Sequence, residues 1–308
     1  MKETLDKLEA KYKSIDEPME TYLKGLLYQK PITYWDYIDT EALLSLQKPR
    51  TDFPDEMVFI MYHQVNEILF KMMLHEIEQL KDAEVLTPEL FSSKLSRISR
   101  YFDMLTSSFT IMRDGMEPEQ YLLFRDTLTP ASGFQSAQYR MIEFSCTNAL
   151  NLVDPRFRKE VDKDSETEDI FNRLYWQAAG KNFKTGEKKQ LLFNFEKKYK
   201  SFFLDYMEKH SENNLYSLYL SLPKEARENE DLIAAMRHLD YTINITWVMA
   251  HYNTAKKYLN YGQTDKPKAA TGGSDWTKYM HPKYQRRVFF PSLWSEQELA
   301  NWGEDLEQ

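Results

Sequence analysis

Six histidines, an arginine one helical turn from a tyrosine, and a tight small-residue turn are the features of this sequence whose types and spacing could do chemistry. The histidines are His63, His75, His210, His238, His251 and His281. No two have the helical spacing of a two-histidine zinc site, and the single cysteine, Cys146, excludes thiolate zinc sites. A non-haem iron site, with two histidines and a carboxylate brought together by the fold, stays open at this point. His210 and His281 stand in polar or loop-like contexts and are expected at the surface, with His75 and His238 on helix faces without a ligand role. His63 and His251 differ. Each lies inside a long apolar helical pattern with an aromatic four residues before it, Phe59 and Trp247. Such an imidazole is either a satisfied core histidine or a way to hold haem iron with the opposite face open, and the pattern fits both.

The second feature is the stretch Tyr121 to Ser136, reading Tyr-Leu-Leu-Phe-Arg-Asp-Thr-Leu-Thr-Pro-Ala-Ser-Gly-Phe-Gln-Ser. If its first part is helical, Tyr121 and Arg125 lie on one face, one turn apart. Pro130 stops that helix, and Ser132-Gly133 then form a turn where backbone and hydroxyl donors can approach a ligand closely. A cation, a phenol and open backbone suit a small anionic ligand, although a helix end followed by an ordinary turn has the same spacing.

The elements that must position these residues are helices. The chain has 308 residues with only 9 glycines, and Met, Leu, Glu and Lys are plentiful. Residues 2 to 29 read as a charged amphipathic helix broken at Pro18, and Tyr34, Tyr37 and Ile38 share a face if helical. Met57 to Leu80 is the strongest helix, with Phe59, His63, Glu67 and Phe70 along one stripe. A second long helix follows Pro88, a third starts at Glu117-Pro118-Glu119, and Gln135 to Leu152 resumes a helical pattern. Residues 154 to 230 are the most polar and read as a helical excursion, with helices around Leu191 to His210 and Leu215 to Leu222. Asp231 to Leu259 is again long, apolar-patterned and helical. The segment Thr271-Gly272-Gly273-Ser274 marks a loop that bends sharply.

Composition bounds the function. A net charge of -8 argues against a nucleic-acid backbone as the main partner. No apolar run reaches membrane-spanning length and the N-terminal residues have no apolar signal core, so no membrane partner is expected. One cysteine leaves no internal disulfide and fits a reducing, cytoplasmic setting. Aromatic residues are 14% of the chain, so a pocket is expected to have aromatic walls. There is no Gly-rich dinucleotide loop, phosphate loop or serine elbow.

Taken together the motifs resemble the tryptophan 2,3-dioxygenase family. The likeness is carried by Tyr34-Trp-Asp-Tyr37-Ile38 with Leu43 to Gln47, by Phe59 to Lys71 around His63, by Tyr121 to Ser136, and by Trp247 to His251 with Thr271 to Ser274. The resemblance implies an all-α fold, a single helical haem-binding domain over 1–308 of the tryptophan/indoleamine dioxygenase type. An N-terminal arm (1–50) would reach a neighbouring subunit, and 154–230 would be the excursion. It implies haem b as cofactor, with His251 as the axial iron ligand and Trp247, Ser132 and Gly133 on the haem side. His63 would accept a hydrogen bond from the indole N–H, and Phe59 would wall the indole pocket. Arg125 would clamp the substrate carboxylate in its planar fork, with Tyr121 supporting that end. Thr271 would hold the ammonium group, and Tyr34, Tyr37 and Ile38 would complete the site in a neighbouring subunit of a homotetramer, a dimer of dimers. The implied reaction inserts both atoms of O2 across the indole double bond of L-tryptophan, giving N-formylkynurenine. Two other readings compete: a same-fold haem enzyme hydroxylating another aromatic amino acid or indole derivative, and a non-catalytic haem sensor. The sequence departs from the family pattern in a longer connection around Tyr261 to Lys268, in Ala270 and Asp275-Trp276 around the Thr-Gly-Gly loop, and in Asn66 and Leu69 near His63.

Overall fold

A computed structural model describes residues 1–128, 131–182, 185–261, 280–304 and 306, in two compact units, Met1–Gln47 and Lys48–Gln308. The first unit holds four short helices: α1 (Lys2–Ser14), α2 (Met19–Leu26), α3 (Tyr34–Ile38) and α4 (Thr40–Leu44). Pro18 separates α1 from α2 as its missing N–H requires, and Thr33 caps α3 by accepting from the Asp36 N–H. None of these helices buries a residue.

The second unit is built on two 28-residue helices, α5 (Pro54–Lys81) and α6 (Pro88–Gly115). Each begins with proline in its first turn and acids beside it, where free N–H groups and the helix dipole favour them. Their facing stripes supply Met73, Ile77, Phe91, Ile98, Phe102 and Leu105, all fully buried. Glu76, buried on α5, receives Lys94 at 2.8 Å and Arg97 at 2.7 Å from α6, so the pair is tied electrostatically as well as by packing. Then come α7 (Pro118–Arg125), α8 (Ala137–Cys146), α9 (Thr167–Phe171), α10 (Gln190–His210), α11 (Leu215–Ser221), α12 (Lys224–Arg227), α13 (Glu230–Tyr241) and α14 (Trp247–Asn260). A π turn, Thr242–Thr246, joins the last two into one rod. Helix α6 lies at the centre, packed against α5, α13 and α14. Among the described residues the only β pairing is two isolated bridges.

Two sequence readings change, and the segment 154–230 gains detail. The helix expected over Gln135 to Leu152 stops at Cys146; Thr147 is extended, and a 3-10 turn covers Ala149–Leu152. Within the segment 154–230 the charged stretches 162–169 and 186–189 are mostly exposed, while Phe171, Trp176, Leu192, Phe195 and Phe203 belong to the main core. Their apolar residues are sparse along the sequence but converge from α9, α10 and the turn between them. His210 and His281, expected at the surface, are both buried. Tyr206 stacks on the His210 ring at 3.8 Å, the His210 Nδ1–H donates to the Tyr206 carbonyl, and Lys81 donates to its Nε2.

Behind α14 the core contains charge. Glu143 of α8 is fully buried, with Oε1 2.6 Å from Arg287 and from the Tyr175 hydroxyl, and Oε2 2.9 Å from Arg140. Two guanidiniums share one carboxylate there, so Glu143→Gln leaves both cations facing a neutral amide. That substitution is expected to cost about 3–5 kcal/mol, measured by guanidinium denaturation; a loss under about 1 kcal/mol would show that other groups balance the pair.

Candidate functional site

His63 projects from the middle of α5, four residues after Phe59. Its Nδ1 lies 2.8 Å from the Phe59 carbonyl oxygen. A carbonyl can only accept, so Nδ1 carries the proton and Nε2 keeps a free lone pair. The Phe59 ring lies against the imidazole with centroids 4.2 Å apart, and Tyr62 meets it edge-on at 5.5 Å. Burial depresses the His63 pKa, with the Phe59 bond and the Glu67 carboxylate opposing it less strongly. The same side chain is exposed. Both facts hold for a ring in a recess, surrounded by protein yet open on one side.

His251 sits one turn after Trp247 on α14. Phe109 of α6 stacks on it at 5.5 Å with planes 16° apart, and Trp247 lies 6.0 Å away. Desolvation pulls its pKa down to about 4, and the His63 charge pushes in the same direction. The two imidazoles therefore sense one another across the recess, and charging either opposes charging the other. A Cβ placed on Gly133 would lie 3.8 Å from His251 Cε1. The Ser132-Gly133 turn thus runs within van der Waals reach of the edge of the ring.

The turn is anchored from both sides. Ser136 Oγ donates to Glu67 Oε1 at 2.7 Å, and Gln138 Nε2 donates to both the Glu67 carbonyl and Oε2 at 2.8 Å. The Ser132 N–H donates to Gln135 Oε1 at 2.9 Å, while Gln135 Nε2 donates to the Leu191 carbonyl at 3.1 Å. Glu67 is one turn after His63, so these bonds fix the turn relative to the His63 imidazole.

Helix α7 brings the third group. Arg125 is buried, and the exposed Asp126 carboxylate lies 4.0 Å from its Nη1. Tyr121 is held against it: burial raises the phenol pKa, and the Arg125 charge and hydrogen bond lower it less. Tyr121 also packs on Phe59 at 6.1 Å, on Phe124 at 5.6 Å and on Tyr258 at 4.5 Å. Tyr258 donates its hydroxyl to the Met112 carbonyl, tying α14 to α6. The result is one aromatic wall from His63 to the guanidinium.

The described residues thus bring together Phe59, His63, Tyr121, Arg125, Ser132, Gly133, Trp247 and His251 within the Lys48–Gln308 unit. Tyr34, Tyr37 and Ile38 belong to the Met1–Gln47 unit, where they are exposed. Thr271 lies outside the described residues. Sequence reasoning passed over Phe109, Phe124 and Tyr258, because each falls on an apolar stripe indistinguishable from core. Among the described residues no group of three or more His, Cys, Asp or Glu could hold a metal ion, so the non-haem iron alternative finds no ligand set there. One half-buried imidazole of lowered pKa, bordered by the Ser132-Gly133 turn, does fit a haem iron, which needs a single protein ligand.

Comparisons with known proteins agree on one family. A family model described as "Tryptophan 2,3-dioxygenase" matches residues 26–240. A protein named tryptophan 2,3-dioxygenase from Bacillus thuringiensis subsp. konkukian is 30% identical over 284 residues, 87% of this chain and 92% of that protein. One of the same name from a Ruegeria species is 42% identical over 127 residues, covering 40% of this chain and 45% of the relative.

The desolvated histidines predict a pH signature in the cofactor-free protein. His251 is near 4 when folded against an ordinary 6.5, so below 6.5 the unfolded chain binds the extra proton first. Stability is expected to be fully present above 6.5 and to fall as pH drops toward about 4. Thermal unfolding across that range checks this, and His251→Phe should flatten the slope; an equal slope in the variant would remove His251 as its source.

Proposed function

The chain belongs to the tryptophan 2,3-dioxygenase family, and on that premise we propose that it is a haem-dependent dioxygenase converting L-tryptophan and O2 to N-formylkynurenine. The observation that carries the reading is the pair of neutral imidazoles opening on one recess, with a guanidinium at the end of its aromatic wall. His251 would hold the iron, its low pKa keeping the ring nitrogen unprotonated at neutral pH. Trp247 backs that ring, and Ser132 and Gly133 flank the cofactor. When bound, haem supplies the ferrous chemistry through which O2 adds across the indole 2,3 bond.

The protein's own task is placement. His63 presents Nε2 as an acceptor for the indole N–H because Nδ1 is committed to the Phe59 carbonyl. The depressed pKa keeps it neutral, so it orients the indole without carrying a charge into the site. Phe59 covers the ring, and Arg125, braced by Tyr121, receives the carboxylate. Fixing both ends of the amino acid holds the reacting carbons in one attitude, and closing the recess to bulk water strengthens the charge pairing. Thr271 completes the reading at the ammonium end.

A 47-residue unit that buries no side chain has no core of its own. That supports its use as an arm laid on a neighbouring subunit, where Tyr34, Tyr37 and Ile38 complete the partner's site in a homotetramer built as a dimer of dimers. Among the described residues no helix is long and apolar enough to cross a membrane. We assign a cytoplasmic location, consistent with the single, buried cysteine.

Two experiments test this. The ferrous protein is titrated anaerobically with L-tryptophan, then given O2, and the product is weighed by mass spectrometry. Addition of both oxygen atoms is expected; addition of one indicates hydroxylation, and no product indicates a sensor. Arg125→Ala is expected to raise the apparent tryptophan constant roughly 10- to 100-fold, from loss of a charged hydrogen-bond pair, with the haem spectrum unaltered. An unchanged constant removes Arg125 from the site.

A further inference from the structure

Helices α13 and α14 form one rod, yet the chain between them holds a residue too many for a continuous α-helix. Leu232, Met236, Leu239 and Ile243 are buried in the main core. At about 100° per residue they fall within about 60° of arc, a single stripe facing α6. His251 is eight residues beyond Ile243. A continuous α-helix would carry it about 80° off that stripe. In the structure His251 is not off the stripe: it stacks on Phe109 of α6, and Trp247 packs on Phe102 and Phe109 of the same helix. The difference is the π turn at Thr242–Thr246. Its wider ring takes up one residue, removes about 100° of rotation, and returns His251 to within about 20° of the stripe.

The correction works only while the wide turn stays ahead of Trp247. Were it to slip past His251, that ring would leave the recess. A buried clasp stands at its leading edge. Asn244, inside the turn, donates from Nδ2 to Asp240 Oδ1 at 2.7 Å, and both side chains are almost fully buried. Asp240 is itself fixed by the N–H groups of Phe289 at 2.9 Å and Phe290 at 3.0 Å, and by Trp294 Nε1 at 3.0 Å. One carboxylate thus joins the wide turn to the C-terminal segment. We propose that Asp240 and Asn244 are positioning residues that hold the π turn ahead of Trp247, and so set the angle at which His251 faces the recess.

This inference rests on reading His251 as the axial ligand, and the test separates the two. Resonance Raman spectra of the ferrous haem-loaded protein report the histidine–iron band, with circular dichroism as a check on the fold. The wild-type protein must show the band; its absence there counts against the axial reading itself. Asn244→Ala, which leaves the Asp240 bonds to Phe289, Phe290 and Trp294, is expected to lose most of the band while keeping its helix content. Deleting the exposed Thr246 removes the extra residue, so the rod can run as plain α-helix with His251 seven positions after Ile243. The deletion alone is expected to keep the band, and combined with Asn244→Ala to restore it, because no wide turn remains to be misplaced. A full band in Asn244→Ala, a lost band in the deletion alone, or a double variant as defective as Asn244→Ala would each overturn the proposal. Should Asn244→Ala fail to fold, Asn244→Leu, close in size and without the bond to Asp240, takes its place with the same expected loss, and a full band there overturns the proposal.

Discussion

The desolvation of two imidazoles is the constraint on which the rest of this structure depends. Burial is the largest cause lowering the pKa of both rings and favours the neutral form of each, while the His63 ring stays open on one side. Neutrality has a different use at each. At His251 it leaves a ring nitrogen able to bind metal; at His63, with Nδ1 committed to a carbonyl, it leaves Nε2 as an acceptor. Aromatic contacts accompany both rings: Phe109 stacks on His251 and Phe59 lies tilted against His63.

Holding such rings still requires a frame that does not yield. Helix α6 supplies it, because both histidine-bearing helices, α5 and α14, pack against it. The joints are polar where slippage would matter. Glu67 fixes the Ser132-Gly133 turn to the helix of His63, Glu143 gathers two arginines behind Trp247, and Asp240 ties the wide turn to the chain's end. Hydrophobic packing is tolerant of sliding along a stripe, whereas a buried carboxylate with several donors is not. These bonds define register more than they add stability.

The helices were legible because their signals are local. The apolar stripe of α5 and the prolines at the first turns of α6 and α7 gave their positions, and the motifs around His63, Arg125 and His251 pointed to one site. What escaped notice is what depends on distant partners. That segment 154–230 supplies part of the main core was not visible, because its charges are contiguous in sequence while its aromatic residues meet only in three dimensions. His210 looked exposed because Lys81, which shelters it together with Tyr206 one turn away on the same face, comes from a distant stretch of chain. The π turn could not be read at all: Thr-Ile-Asn-Ile-Thr is an ordinary helical string until the facing of its two flanks is known. Phe109 and Tyr258 were hidden for the opposite reason, since a residue lining a site and one filling a core have the same pattern.

The account stands on His251 as the group that would hold the iron, and chemical rescue addresses that directly. His251→Gly, reconstituted with haem and reduced, should lack the histidine–iron band and regain an imidazole–iron band when free imidazole is added, because the variant opens a space of the same shape beside Phe109. A variant that keeps the histidine band without added imidazole would place the ligand on another residue and contradict the account.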